Sequence, residues 1–176
     1  MLTELDNYLQ RIEDLRRQID ELITGLPAPA LNWRPTQQVE DHATNSLAVL
    51  VAHSAGAERF WIAEVIAGRA RTRNRAAEFA TQAAGAGELR RLLQTTGAET
   101  REILSSLTPT DLDGAREVDS HGVPVRWSIL HVIDHTALHL GHMQITYQLW
   151  MGGHSKPSPL WVDRLPTAIT RKSDSH

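Results

Sequence analysis

The amino terminus carries a clear helical pattern. Apolar side chains recur there at steps of three and four residues, with Glu, Asp, Arg and Gln between them, as expected for a helix with one apolar face. Gly25 and Pro27 are expected to end this first helix, because both residue types interrupt helices. The apolar positions are Leu2, Leu5, Leu9, Ile12, Leu15, Ile19, Leu22 and Leu26.

Three further segments carry helical patterns. A dense apolar run predicts a second, well-buried helix that begins at residues 44–46 and ends at Ala67 before a glycine. A third helix is expected at about 88–107, and a fourth at 128–150 with Ser128 as its N-cap. Because no convincing set of strands accompanies them, the four helices predict an all-α fold, a four-helix bundle of antiparallel type over residues 1–153.

The segments between the helices are expected to be loops. Residues 27–44 contain three prolines and little periodicity, which indicates a long ordered loop of the kind that is often functional. Residues 69–78 contain four arginines and are interpreted as a solvated connector rather than an anion site. A short hairpin is expected with strands at 117–119 and 123–125. Residues 154–176 are expected to form a partly ordered tail that packs along the bundle.

The composition narrows the chemistry. The 176-residue chain has nine histidines, no cysteine and a formal net charge of −3. Without cysteine there is no disulfide, thiolate zinc site, iron–sulfur cluster or cysteine nucleophile, so any metal ligand must be imidazole or oxygen. The weak negative charge argues against a nucleic-acid partner. The charged amino terminus lacks the apolar core of a signal peptide, and no apolar run reaches the roughly 18 residues of a membrane span, so we expect a cytoplasmic protein.

Four histidines lie on one face of the fourth predicted helix. At 100° per residue, His131, His135, His139 and His142 fall within an arc of about 80°. Residues one turn apart can share an ion, whereas the first and third of these are two turns, or about 12 Å, apart. Helix geometry therefore allows three metal-binding pairs, 131/135, 135/139 and 139/142, and does not choose among them. The segment HTALH lacks the glutamate of the HExxH motif, which disfavours a zinc protease.

A fifth histidine, His53, lies within the apolar second helix. Burying an unpaired imidazole is costly, and metal coordination would satisfy it. Three histidines from two facing helices would leave a metal ion an open position, as in catalytic sites. The alternative is a packed or surface histidine face that binds no metal.

Three stretches of the chain form a recognisable series of motifs: LNWRP at 31–35, LAVLVAHSAGAERFW at 47–61 and ILHVIDHTALHLGHMQI at 129–145. In content and order they resemble the DinB/YfiT-like superfamily of metal-binding four-helix bundles. The resemblance implies the fold, and it carries the family's metal triad onto His53, His135 and His139.

Some positions near the implied triad depart from the family's pattern. His131 matches a histidine often found one turn before the ligands, which suggests a supporting role. Leu138 stands where many relatives have a further histidine, and His142 stands where glutamine is common. Neither change removes a triad position, but whether His131 or His142 joins the site stays open.

The resemblance also implies a function. Relatives include S-transferases that use bacillithiol or related low-molecular-weight thiols, a mycothiol-dependent maleylpyruvate isomerase and metal-dependent hydrolases. We therefore expect a divalent metal ion, zinc or nickel, together with a low-molecular-weight thiol or metal-activated water, acting on a small-molecule substrate. Trp33 and Arg34 are expected to line the mouth of the site and bind the thiol cofactor, with a core anchor for the loop as the alternative role of Trp33. Glu58 and Asp134 are candidates for proton transfer, but Asp134 lies about 100° from the centre of the histidine arc, which favours a supporting or surface role.

The alternative function is a non-catalytic, metal-binding stress-response bundle that acts as a dimer. A homodimer is expected in either case, because bundle helices with broad apolar faces, such as 47–66, often pair across subunits.

Overall fold

Four long helices carry the fold, and three short helices and a hairpin connect them. The computed structural model describes residues 3–36 and 44–165. In chain order the elements are α1 (Glu4–Ile23), α2 (Ala28–Asn32), α3 (Leu47–Arg59) with a π-helix (Phe60–Ile66) directly after it, α4 (Arg75–Phe79), α5 (Ala86–Ser106), α6 (Pro109–Leu112), β1 (Ala115–Val118), β2 (His121–Pro124), α7 (Val125–Trp150) and a 3₁₀ helix (Trp161–Arg164).

The ends of the first two long helices follow from local chemistry. Thr3 and Asp6 form a reciprocal capping box at the start of α1. Gly25 adopts a φ of 77° just after this helix, a conformation that glycine tolerates best. The side chain of Ser46 accepts a hydrogen bond from the Val49 amide and starts α3. The sequence predicted the end of α1 at Gly25 and the start of α3 at Ser46.

The order of the helices in the bundle is more complex than the expected antiparallel arrangement. The α1 and α7 helices are parallel neighbours, because Arg126 near the start of α7 pairs with Glu4 near the start of α1, and Lys156 joins the end of α1 to Tyr147. The α1 helix runs antiparallel to α5, because Asp20 near the end of α1 pairs with Arg90 near the start of α5, and Glu13 pairs with Arg101 further along.

The α3 helix runs antiparallel to α7, since His53 meets His135 and His139 while Trp61 meets Trp127. It follows that α3 and α5 run parallel. The long connections before α3 and before α7 allow this arrangement, because each carries the chain to the diagonally opposite corner of the bundle.

Three local predictions need correction. The second predicted helix changes to π-helical hydrogen bonding at Phe60 instead of continuing as an α-helix. The predicted loop over 27–44 contains the short helix α2, and its residues 37–43 lie outside the described part of the chain. The fourth predicted helix begins at Val125, so Ser128 is not its N-cap; Ser128 is buried and donates to the Pro124 carbonyl.

The hairpin exists, but its strands lie elsewhere than predicted. Strands β1 and β2 pair antiparallel from Ala115 opposite Pro124 to Val118 opposite His121. The turn is therefore formed by Asp119 and Ser120, with φ values of 47° and 68°. Two central residues with positive φ fit the twist of a two-residue hairpin. This turn shifts His121 from the predicted turn into a strand.

The described part of the tail packs on the bundle. Lys156 Nζ donates to the carbonyls of Glu21 and Leu22 at 3.0 Å each, where α1 leaves carbonyl groups without helical partners. Arg164 Nε donates to Asp14 at 3.0 Å. The tail expected at 154–176 is described only to residue 165.

Among the described helices, none combines the length and the apolar character that a bilayer crossing requires.

A buried polar cluster lies between α1, α3 and α5. The Arg16 guanidinium donates to the Glu58 carboxylate, which also accepts from Thr100 Oγ1 at 2.6 Å. Glu58 is 4% exposed. A Cβ atom at Gly97 would overlap the Arg16 guanidinium, so the glycine leaves room for this side chain against α5. Glu58 therefore has a role in packing the bundle.

Removing the positive member of this cluster should destabilise the fold strongly. We expect Arg16→Met to lower the free energy of unfolding by about 3 kcal/mol, because it leaves the Glu58 carboxylate buried without its counter-charge. Urea unfolding followed by circular dichroism measures this loss. The double variant Arg16→Met/Glu58→Met should recover much of it, and a single variant as stable as the wild type would contradict the ion pair.

Candidate metal centre

Three imidazole rings meet between α3 and α7. His135 Nε2 lies 3.2 Å from His53 Nε2 and 3.2 Å from His139 Nε2. One ring nitrogen from each of the three lies within 4.8 Å of the others. The positions follow from helix geometry, because two of the residues are one turn apart on α7 and the third faces them from α3. The structure thus brings together the three residues that the resemblance selected.

The spacing and charge of these nitrogens fit a metal ion. Two ligands of a tetrahedral ion at metal–nitrogen distances of about 2.0–2.1 Å lie about 3.3–3.4 Å apart. Burial, with a smaller contribution from neighbouring histidines, lowers the pKa of His135 to about 3 and that of His139 to about 4. Both rings are therefore neutral at neutral pH, which is the state that coordinates metals. The three histidines could hold a divalent ion.

Glu78 fixes the orientation of His53. Its Oε2 atom lies 2.9 Å from His53 Nδ1. Burial by itself raises the pKa of Glu78, but hydrogen bonds from His53 and Arg73 outweigh burial and hold the pKa below its usual value. The carboxylate therefore accepts a hydrogen bond from Nδ1–H, which leaves the lone pair on Nε2 for a metal ion. Carboxylates commonly orient metal-binding histidines in this way.

The connector before α4 places this carboxylate. Arg73 binds Glu78 with two hydrogen bonds of 2.7 and 2.9 Å, and the Phe79 ring packs against His53 with centroids 4.8 Å apart. A Cβ atom at Gly56 would overlap the Glu78 carboxylate, so this glycine lets Glu78 lie across α3. The interpretation of 69–78 as a solvated connector is therefore wrong for Arg73 and Glu78.

Sequence reasoning missed these two residues. They lie 20 and 25 positions after His53, in a connector and a five-residue helix that have no periodic pattern of their own. One signal for them was available in the sequence. A buried histidine needs a hydrogen-bond partner, and the arginine-rich segment that follows the helix of His53 contains one glutamate, Glu78.

His142 and His131 lie beside the triad in different ways. His142 Nδ1 is 3.4 Å from His139 Nδ1, on the side of the ring away from the other triad nitrogens. The ring of His131 stacks on Trp127 with centroids 4.8 Å apart and an interplanar angle of 5°. Neither belongs to the three-residue group that could hold an ion. The Nδ1 atom of His135 is buried and meets no hydrogen-bond partner among the described residues.

The other predicted site residues lie outside the triad. Glu58 pairs with Arg16 and Thr100, and Asp134 is an exposed residue 3.5 Å from His131 Nδ1, so these polar partners lie outside the triad for both residues. Trp33 packs edge-on against Trp150 with ring centroids 5.9 Å apart. Arg34 Nη1 lies 3.5 Å from the Thr44 carbonyl, at the end of the bundle where α3 begins.

Comparisons with known proteins agree with this architecture. A family model described as mycothiol-S-transferase matches residues 5–152. The chain belongs to this family. A conserved protein from Enterococcus faecalis has a similar structure, with a TM-score of 0.67, 16% identity and coverage of 86% of this chain and 99% of that one.

A DinB-like protein from Bacillus subtilis has a TM-score of 0.62 and 18% identity, and the alignment covers 89% of this chain and 96% of that one. At these identities the two structures show the fold alone. No curated protein sequence matches significantly. The DinB-like, all-α bundle predicted from the sequence is thereby confirmed.

We expect this member of the mycothiol-S-transferase family to bind one divalent ion per chain through the triad. Alanine at His53, His135 or His139 should each abolish stoichiometric zinc or nickel binding, because two imidazoles hold these ions poorly. His142→Ala should retain it, since this residue lies behind His139. Elemental analysis of untagged protein measures the ratio, and metal retained in all three triad variants would contradict the site.

The hydrogen bond from His53 to Glu78 should strengthen metal binding. We expect Glu78→Gln to weaken metal affinity by about 10–100-fold, because loss of the carboxylate frees the ring and lowers its basicity. Competition with a chromogenic chelator measures the affinity. Glu64→Gln is the matched control, since Glu64 is also buried and bonded to an arginine but contacts no triad residue; equal losses in the two variants would contradict the orienting role.

Proposed function

We propose that this protein is a metal-dependent transferase that joins a low-molecular-weight thiol to a small electrophilic substrate. The observation that carries this proposal is the convergence of three imidazole nitrogens, with His135 Nε2 3.2 Å from a nitrogen of each of the other two, in a chain of the mycothiol-S-transferase family. His53, His135 and His139 would hold the ion, with zinc or nickel as the favoured metals.

The chain's residues would prepare the site for this reaction. A bound divalent ion would lower the pKa of a coordinated thiol, so that thiolate is present at neutral pH. Glu78 holds His53 in one tautomer, and burial keeps His135 and His139 unprotonated. The thiol sulfur would form a bond to the electrophilic carbon, the leaving group would take the electron pair of the broken bond, and the thiol proton would pass to solvent.

The position of His142 relative to the His139 ring favours a catalytic metal site over a purely structural one. A structural site closes its coordination with a fourth protein ligand, whereas a catalytic site keeps a position open. His142 contacts the Nδ1 atom of His139 rather than the nitrogen that faces the triad. This arrangement supports an open fourth position. Hydrolysis by metal-activated water would use the same three ligands, so a requirement for thiol separates transfer from hydrolysis.

Trp33 and Arg34 are the proposed contacts for the thiol cofactor. Both are half-buried, and both lie at the end of the bundle where α3 begins and α7 ends. His53 follows the first residue of α3 by about 9 Å of helix rise, so a thiol with an extended polar portion would reach from this end to the metal. We place the reaction in the cytoplasm, where a free thiol stays reduced.

The thiol should stabilise the metal-loaded protein. At 100 times its dissociation constant a ligand adds about 2.7 kcal/mol, which corresponds to a rise in Tm of about 5–10 °C for a chain of this size. We expect mycothiol to produce this rise in a thermal-shift experiment with zinc- or nickel-loaded protein, and to produce none with the His135→Ala variant.

Two variants test the proposed thiol contacts. Trp33→Ala and Arg34→Gln should reduce the mycothiol shift while the metal content stays the same, and Arg91→Gln, an exposed arginine on α5, is the matched control. Product analysis should find thiol and electrophile consumed in equal amounts. Consumption of an electrophile without thiol would replace transfer by hydrolysis, and no response to any thiol or electrophile would favour the non-catalytic alternative.

A further inference from the structure

An apolar stripe runs along the side of α7 that faces away from the bundle. At 100° per residue its members lie about 180° from the buried face of the same helix. Their exposed fractions range from 47% to 59%. The exposed α7 stripe consists of Trp127, Leu130, Leu138, Ile145 and Leu149.

The size and position of this stripe indicate an interface. It extends over 23 residues, or about 33 Å of helix from Trp127 to Leu149, and a row of large exposed apolar side chains of this kind is typical of an interaction site. The segment 47–66, on which the expectation of a homodimer was based, lies largely in the core instead. The apolar surface available for a homodimer therefore lies on α7 and not on the segment 47–66.

We propose that α7 packs antiparallel against α7 of a second copy, about a two-fold axis at Leu138. The stripe is nearly symmetric about this residue. Trp127 and Leu149 lie eleven positions to either side, and Leu130 and Ile145 lie eight and seven positions to either side. An antiparallel pair about the axis therefore matches large apolar residues with large apolar residues along its whole length, as an isologous interface requires.

The polar residues within the stripe follow the same symmetry. Asp134 and His142 lie four positions before and after Leu138, and both are exposed. Because His142 Nδ1 faces His139 Nδ1, Nε2 is the ring nitrogen that a further partner can reach, and the proposed pair assigns the proton to it. In the proposed pair this N–H donates to the Asp134 carboxylate of the second copy, and the two-fold axis repeats the contact.

The centre of the stripe leaves space for close approach. Gly141 follows Leu138 by about one turn, and a Cβ atom there would meet no neighbour within 4 Å. The Leu138 side chain of the second copy would occupy this space. A parallel pair would instead place Asp134 opposite Asp134, a repulsion between like charges.

Sedimentation equilibrium tests the interface. The wild type should sediment as a dimer, with twice the 19.6 kDa chain mass. Leu138→Glu should sediment as a monomer with an unchanged circular dichroism spectrum, because two glutamates would face each other at the axis. Leu92→Glu, at a similarly exposed leucine on α5, should stay dimeric. A monomeric wild type, or a dimeric Leu138→Glu variant, would overturn the proposal.

Cross-linking tests the register, since the chain has no cysteine of its own. A disulfide needs Cβ atoms about 3.5–4.5 Å apart, which two copies of one residue reach only close to the axis. Leu138→Cys should therefore form a cross-linked dimer on mild oxidation, and Leu92→Cys should not. Trp127→Cys should cross-link with Leu149→Cys when the two variants are mixed but not with itself. Efficient self-linking of Trp127→Cys would overturn the antiparallel register.

Discussion

The metal centre depends on the buried hydrogen bond between His53 and Glu78. An imidazole within an apolar helix needs partners at both nitrogens, and in this fold two elements supply them. Glu78 contacts Nδ1, and His135 on α7 contacts Nε2. His53 thus connects a short connector helix on one side to the longest helix on the other. The packing of α3 against α7 and the position of α4 are consequently coupled through one side chain.

The buried cluster around Glu58 stabilises the bundle, whereas the cluster around Glu78 orients a candidate metal ligand. Glu58 lies five residues after His53 on the same helix, but its partners Arg16 and Thr100 come from α1 and α5. The carboxylates of Glu58, on α3 itself, and of Glu78, which packs against it, therefore lie on different sides of α3. One charge helps to fix the order of the helices, and the other fixes the orientation of a ligand. Each has an arginine as its counter-charge.

The sequence predicted the parts of the structure that repeat along the chain or match a known motif. Helical periodicity placed the long helices, and the helical wheel brought His135 and His139 to one face. Its apolar surroundings made His53 a candidate, but only the family resemblance selected it together with His135 and His139, because spacing within one helix carries no information about the facing helix. The arginine-rich segment after His53 offered Glu78 as a possible partner, but the sequence could not place Glu78 and Arg73 beside the ring, since their positions depend on a five-residue helix that packing stabilises and on the missing side chain of Gly56. The start of α7 was predicted too late, because Pro124 precedes a helix as readily as it interrupts a strand.

The π-helix after Arg59 affects more than local hydrogen bonding. Each π-helical turn contains more residues than an α-helical turn. The side chains of Phe60–Ile66 therefore point in directions that differ from those of a continued α-helix. The connector that carries Arg73 begins directly after this change. Seven residues at the wider π-helical winding turn the chain through a smaller angle than seven α-helical residues at 100° each would. The segment Phe60–Ile66 thus helps to set the direction in which the chain leaves α3 for the connector that carries Arg73 and leads to Glu78.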